Sequence, residues 1–263
     1  MITHCRKRDL AYDRPKVMGI LNVTPDSFSD GGRSFEENVS LAQDMIDAGV
    51  DIIDIGGEST RPGSLPISQE EELMRVIPMI YRLAHTSDVL ISIDTSKTHV
   101  AEMALDAGAD IINDVNGLRA PGMLELAASR HVPVVIMHMH GTPADMQEHP
   151  LDVDDHKAVI DFLRERKEVA EEAGIEDIIL DPGIGFGKTP ELNNYIIDHS
   201  SEFSLGCPVL IGASRKGFLK GTYPGLEKDE ATREANRRAL SSGADILRVH
   251  DYRSTIRLIN EGI

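Results

Sequence analysis

Eight short aliphatic segments, each followed by a stretch of helical period, predict an α/β protein of the (β/α)8 or TIM barrel class. Three observations carry this expectation. A motif recurs along the chain: Ala48-Gly49-Val50-Asp51-Ile52-Ile53-Asp54, Ala107-Gly108-Ala109-Asp110-Ile111-Ile112-Asn113, Ala173-Gly174-Ile175-Glu176-Asp177-Ile178-Ile179 and Ser242-Gly243-Ala244-Asp245-Ile246-Leu247-Arg248. Each copy reads as a helix stopped by Gly, which accepts a left-handed C-cap, followed at once by a short strand. The strands are apolar almost throughout, as parallel strands covered on both faces must be. Finally, 263 residues suit one eightfold barrel, whereas an open doubly wound sheet would need fewer strands.

The strands are expected at 16–22, 51–57, 89–95, 110–115, 133–139, 177–183, 208–214 and 245–251. Helices are expected at 38–49, 70–84, 98–107, 122–130, 156–173, 190–204, 230–242 and 252–261. Val17-Met18-Gly19-Ile20-Leu21 is an apolar strand that empties at Asn22 into a polar, Gly-rich loop reaching Gly32. Ser68 with Glu71 three residues on reads as a capping box for the second helix. Thr189 before Pro190 reads as an N-cap with proline at the first helical position. No Pro-, Gly- or Ser-rich linker divides the sequence, so it is read as a single domain over 1–263, with 1–15 as an N-terminal extension.

Composition bounds the partners. A net charge of −17 and a pI near 4.9 argue against nucleic acid, which wants a clustered basic face. With 41% hydrophobic but 4% aromatic residues and no Trp, the core is aliphatic. Cys5 and Cys207 lack metal-ligand spacing and fit free thiols in a reducing compartment. Arg6-Lys7-Arg8 is not followed by an apolar segment, so 1–15 does not read as a signal peptide. No apolar run approaches the ~18 residues of a membrane span. A cytoplasmic protein without membrane partners is expected.

Polar residues gather where the strands end: Asn22; Glu58, Thr60 and Arg61; Asp94; Asn113 and Asp114; His138 and His140; Asp181; Ser214, Arg215 and Lys216; Arg248 and His250. In a barrel these ends form one mouth. Any one of them could cap a helix or a turn. Together they need a ligand, or one another, to offset their desolvation. Carboxylates and Asn113 suit the amide edge of a heterocycle, while Arg61, Arg248, His250 and Lys216 suit an anionic group. One ligand carrying a polar ring and an anion is expected.

Two apparent motifs weaken on inspection. Asp181 to Thr189 ends in Gly-Lys-Thr like a phosphate-binding P-loop, but Pro182 stands where its first Gly belongs. His138 and His140 could be half of a metal site, with His250, Asp94 or Asp181 completing it. That leaves a metal-dependent hydrolase as a competing reading.

The chain resembles the dihydropteroate synthase family in blocks that follow the family's order. They are Gly19 to Gly32, Asp54 to Gly63, Ile93-Asp94-Thr95, Ile112-Asn113-Asp114, Met137-His138-Met139 with Gly141, Asp181 to Thr189, Gly212 to Lys216, and Arg248-Val249-His250-Asp251. The resemblance implies a barrel enzyme that joins 4-aminobenzoate to 6-hydroxymethyl-7,8-dihydropterin diphosphate and releases pyrophosphate. It implies Asp94, Asn113, Asp181 and Lys216 at the pterin, and Asn22, Arg61, Arg248 and His250 at the diphosphate, with Mg2+ on Asn22. It further implies Phe28, Thr60, Pro62, Phe186, Lys216 and Gly217 around 4-aminobenzoate, with Asp94, Lys216, Arg248 and His250 as the catalytic group. Thr24 to Gly32 would form a lid, and a homodimer is implied.

The chain departs from the family at Gly217, where a Ser commonly follows Ser-Arg-Lys, and at Leu192, where His commonly precedes Asn. Gly217 removes a hydroxyl from the acceptor side, which opens the possibility of another amine acceptor or weaker sulfonamide binding. A pterin-dependent methyltransferase and a pterin carrier without turnover remain as alternatives.

Overall fold

The computed structural model describes residues 1–23, 34–59, 63–142 and 145–262. A hairpin of β1 (Ile2–Thr3) and β2 (Leu10–Ala11) comes first. There follow β3 (Lys16–Asn22), α1 (Phe35–Ala48), β4 (Ile52–Gly56), α2 (Gln69–Thr86), β5 (Leu90–Asp94), α3 (Thr98–Ala107), β6 (Ile111–Asp114) and α4 (Met123–Arg130). The second half adds β7 (Val134–Met137), α5 (His156–Glu172), β8 (Ile178–Asp181), α6 (Pro190–Asp198), β9 (Leu210–Ile211), α7 (Leu219–Thr222), α8 (Lys228–Ser241), β10 (Ile246–Val249) and α9 (Tyr252–Glu261). Strands β3 to β10 form one parallel sheet, and a Leu180–Val209 bridge joins its two edge strands. The expected TIM barrel is the observed fold.

The recurring motif has a physical reason. Its glycines take positive φ at the helix ends (Gly49 90°, Gly108 121°, Gly174 91°, Gly243 99°). The aspartate that follows then accepts a backbone N–H from another segment: Asp51 from Val17 (2.9 Å), Asp110 from Ile91 (3.0 Å), Asp245 from Val209 (2.9 Å) and Asp177 from His4 (3.0 Å). Each repeat therefore ends a helix and ties the next strand to its surroundings.

Strand alternation sorts the barrel interior into layers. The lowest layer is Met18, Ile52, Leu90, Ile111, Val135, Ile179, Leu210 and Ile246, all fully buried and joined by Leu10 of the hairpin. Each such side chain stabilises the fold by about 1.5–3 kcal/mol. The intervening residues, among them Ile53, Ile55, Ile91, Ile93, Ile112 and Leu180, pack outward against the helices. Two positions further along each strand, the same inner face carries Ile20, Asp54, Ser92, Asn113, Met137, Asp181, Gly212 and Arg248. The fold thus sets a polar layer directly on an aliphatic floor.

Some elements differ from expectation. The strand expected at 208–214 reduces to Leu210–Ile211, because Pro208 has no N–H to give and the chain turns after Gly212. The helix expected over 190–204 stops at Asp198, and a 3-10 turn, Ser200–Phe203, buries Phe203. The capping box of α2 is half made: Ser68 Oγ accepts from Glu71 N (3.2 Å), while the Glu71 carboxylate pairs with Arg75. The N-cap at Thr189 is as expected. Among the described residues, no helix is long and apolar enough to cross a membrane.

Candidate active site

The carboxyl ends of the strands surround a cleft lined by Asp94, Asn113, Val115, Met137, Asp181, Ile184, Phe186, Gly212, Lys216 and Arg248. Its floor is one connected cluster. Arg248 donates through Nε to Asp54 Oδ2 (2.6 Å) and through Nη2 to Asp94 Oδ2 (2.5 Å). Asn113 Nδ2 donates to the same Asp54 carboxylate (3.2 Å). Asp54 is fully buried, and sequence reasoning did not select it. The signal was there: Asp54 lies two residues beyond Ile52 of the floor, so its charge points into the barrel.

Burial sets the electrostatics. It pushes the Asp94 carboxyl up to about 7, against the pull of Arg248 and with the help of Asp54. It pushes Asp181 up to about 6, opposed by the Gly183 N–H (2.7 Å) and by Arg248, Lys188 and Lys216. Burial alone would weaken the Arg248 charge, but Asp54 and Asp94 outweigh it and hold its pKa above the usual arginine value. The arginine is charged under all working conditions, whereas the two carboxylates titrate close to neutrality.

Above this floor stand the rim residues. A Cβ built on Gly56 would lie 3.5 Å from Asp94 Cβ and 3.7 Å from Asn22 Oδ1, so Asn22 and Asp94 flank the bare backbone of Gly56. Ser214 Oγ lies 3.0 Å from His250 Nδ1 and accepts the His250 backbone N–H at 3.1 Å, which fixes one side of the imidazole. The Lys216 ammonium sits 4.1 Å from the centre of the Phe186 ring. Gly217 is in open space, with nothing within 4 Å of a Cβ built there.

Several residues expected at the mouth are turned elsewhere. Arg215 adopts φ 57° and forms a two-pronged pair with Asp229 of α8 (2.7 and 2.9 Å). Glu58 pairs with Lys97, which also reaches Glu72 of α2. Asp114 faces outward and accepts from the N–H groups of Asn116 (2.8 Å) and Leu118 (2.9 Å), capping a turn. His138 also faces outward: its Nδ1 is 2.8 Å from Lys188 Nζ and its ring meets Phe162 edge-on. Burial, then Lys188, lowers its pKa to about 2. His138, one half of the expected His138–His140 metal pair, is therefore already engaged in packing. Lys188 of the failed P-loop is buried too, and Leu192 is an apolar core residue. Phe28, Thr60, Arg61 and Pro62 lie outside the described residues, as does the expected lid, Thr24 to Gly32.

Comparison with known proteins agrees with this geometry. A model of the pterin binding enzyme family matches residues 18–250. The dihydropteroate synthase of Escherichia coli is 46% identical over 94% of this chain and 90% of its own length. A probable bifunctional folylpolyglutamate synthase/dihydropteroate synthase of Haloferax volcanii is 48% identical over 94% of this chain, which spans 30% of that longer protein. The crystal structure of the Yersinia pestis dihydropteroate synthase with a sulfonamide drug superimposes with a TM-score of 0.93 at 41% identity, covering 99% of this chain and 98% of that one. The chain belongs to the pterin binding enzyme family, among its dihydropteroate synthases.

Proposed function

We propose that the protein joins 4-aminobenzoate to 6-hydroxymethyl-7,8-dihydropterin diphosphate, forming 7,8-dihydropteroate and releasing pyrophosphate. The observation that carries this reading is the cluster on the floor of the cleft, with Asp54, Asn113 and Asp181 buried and Asp94 and Arg248 partly so. A pterin offers N–H donors on its amino-pyrimidinone edge, which the carboxylates of Asp94 and Asp181 and the amide of Asn113 can match. Lys216, held against Phe186, would cover the ring from the mouth.

Breaking the bond between the pterin methylene and the diphosphate leaves positive charge on carbon and negative charge on the leaving group. The carboxylates around the ring stabilise the first, and Arg248 and His250 the second. Both effects grow as the charges separate, so they lower the barrier without a covalent intermediate. No nucleophilic Ser or Cys is required. The amine of 4-aminobenzoate, set against Phe186 and Lys216 beside Gly217, then bonds to the methylene and loses a proton. Asp54 serves indirectly, by fixing the orientations of Arg248 and Asn113.

The resemblance also implies Mg2+. Asn22 Oδ1 and the Asp94 carboxylate flank Gly56 and are hard oxygen donors of the kind this ion takes, usually with phosphates and water. Asn22 would hold it, with the substrate's diphosphate supplying further oxygens. When bound, the ion supplies charge neutralisation for the leaving group.

Cys5 and Cys207 are both free thiols, and burial pushes Cys5 up to about 12, which suits a reducing cytoplasm. A homodimer is part of the proposal, with light scattering expected to give twice the 28.8 kDa chain mass. The main test is direct. Incubation with the pterin diphosphate, 4-aminobenzoate and Mg2+ should yield dihydropteroate and pyrophosphate in equal amounts. Absence of product at every 4-aminobenzoate concentration would overturn the reading.

A further inference from the structure

The loop that follows β8 supplies two walls of the cleft, yet nothing in the reaction explains what holds it. Its backbone runs Gly183-Ile184-Gly185-Phe186-Gly187, with φ of 72°, 80° and 65° at the three glycines. It lies directly on the end of β7: a Cβ built on Gly183 would stand 1.8 Å from His138 O, and one on Gly187 would stand 2.4 Å from His140 O. A side chain at either position would push the two loops apart.

At the centre of this contact is Lys188, which is 3% exposed. Its Nζ donates to Gly183 O (2.9 Å) and Phe186 O (3.1 Å), lies 2.8 Å from His138 Nδ1, and reaches His138 O at 3.4 Å. The acceptors come from the two ends of the loop and from the neighbouring strand. Asn193 of α6 adds a second clip, accepting from Gly185 N (2.7 Å) and donating to Lys188 O (3.1 Å). The loop in turn delivers the Gly183 N–H to Asp181 (2.7 Å) and the Phe186 ring to Lys216 (4.1 Å).

We propose that Lys188 is a positioning residue for both substrate sites: one buried cation that locks the β8 loop onto β7 and so fixes the surroundings of Asp181 and the face of Phe186 together. It touches neither substrate. The proposal rests on the synthase reading above. Burial pushes the Lys188 pKa down to about 7, so it is a cation on the acid side of neutrality, and there its charge matters as well as its hydrogen bonds. Asp181 accepts the Gly183 N–H of the loop and feels the charges of Arg248 of β10, Lys188 at the end of the β8 loop and Lys216 of the loop after β9. Removing one of these cations makes it harder for Asp181 to hold its charge, because its burial remains.

Lys188→Met and Asn193→Ala separate the two effects, with wild-type turnover as the reference that tests the synthase reading itself. Lys188→Met should raise KM for both substrates at least about tenfold and move the acid limb of kcat/KM for the pterin diphosphate upward by about half a pH unit or more. Asn193→Ala loosens the loop but keeps the cation. It should raise KM for 4-aminobenzoate about threefold and leave the acid limb in place. Amide exchange at 183–187 should quicken in both, a readout that needs no turnover at all. Should Lys188→Met fail to fold, His138→Phe keeps a ring against Phe162, removes the side-chain acceptor and should still raise both KM values a few-fold. Wild-type KM values in the folded variant tested, or the same acid-limb position in Lys188→Met as in Asn193→Ala, would overturn the proposal.

Discussion

The two ends of the barrel both pair buried aspartates with basic side chains, but they satisfy them differently. At the closed end, Asp51 accepts the Val17 N–H and two bonds from Arg14 (2.8 and 3.1 Å). Asp110 accepts from Ile91 N, with Lys7 and Arg6 of the hairpin nearby, and Asp245 accepts from Val209 N. A backbone N–H takes one oxygen of each of these carboxylates. At the open end, Asp54 and Asp94 share one guanidinium, Asn113 leans on Asp54, and all face a cleft. Charge satisfied by backbone builds the fold. Charge satisfied by other side chains, at a cavity, is available to a ligand.

The sharpest way to break this comparison is Arg248→Met. It leaves Asp54 and Asp94 without their shared cation and removes the pull that opposes burial in keeping Asp94 charged. Steady-state assays should show kcat/KM down about a thousandfold, on the scale of removing a main electrostatic contact to a transition state. At the other end, Asp51→Ala strands a backbone N–H and releases a half-exposed arginine. Thermal denaturation should show a loss of about 2 kcal/mol and a Tm lower by roughly 5 °C, with kcat/KM within about twofold of wild type.

The pH dependence should also belong to the open end. Burial pushes Asp94 up to about 7 and Asp181 up to about 6. Each carries its charge above that value and loses it as pH falls through it. A kcat/KM profile for the pterin diphosphate should therefore decline between pH 7.5 and 5.5, by about a hundredfold when both charges are required. The smallest effect is expected at Gly217. A Ser side chain fits there without contact, so Gly217→Ser should lower KM for 4-aminobenzoate about three- to tenfold by adding one hydroxyl donor to a carboxylate. An unchanged KM would remove Gly217 from the acceptor site.

Much of this was legible in the sequence. The eight aliphatic runs, four of them introduced by the glycine-ended repeat, set the strand count, and the polar strand ends pointed to Asp94, Asn113, Asp181, Lys216 and Arg248. The errors share a cause. Residue type and position along a strand do not say which face a side chain takes once the strand has ended. Arg215, Glu58, Asp114 and His138 sit beside site residues in sequence but turn outward. Asp54 was hidden inside an aliphatic run, although alternation from Ile52 points it inward. Lys188 was dismissed with a broken P-loop, and its burial depends on a loop contact that no spacing encodes. The hairpin strands β1 and β2 are two residues each, too short for any periodic signal.

Asp54 tests the central claim most directly, because it is fully buried and touches Arg248 and Asn113. Asp54→Asn keeps the shape and removes the charge. The measurement is kcat/KM for the pterin diphosphate, taken together with the melting temperature. The account predicts a fall of about a hundredfold or more in kcat/KM with a Tm within a few degrees of wild type. A kcat/KM within twofold of wild type, or a loss explained wholly by unfolding, would contradict it.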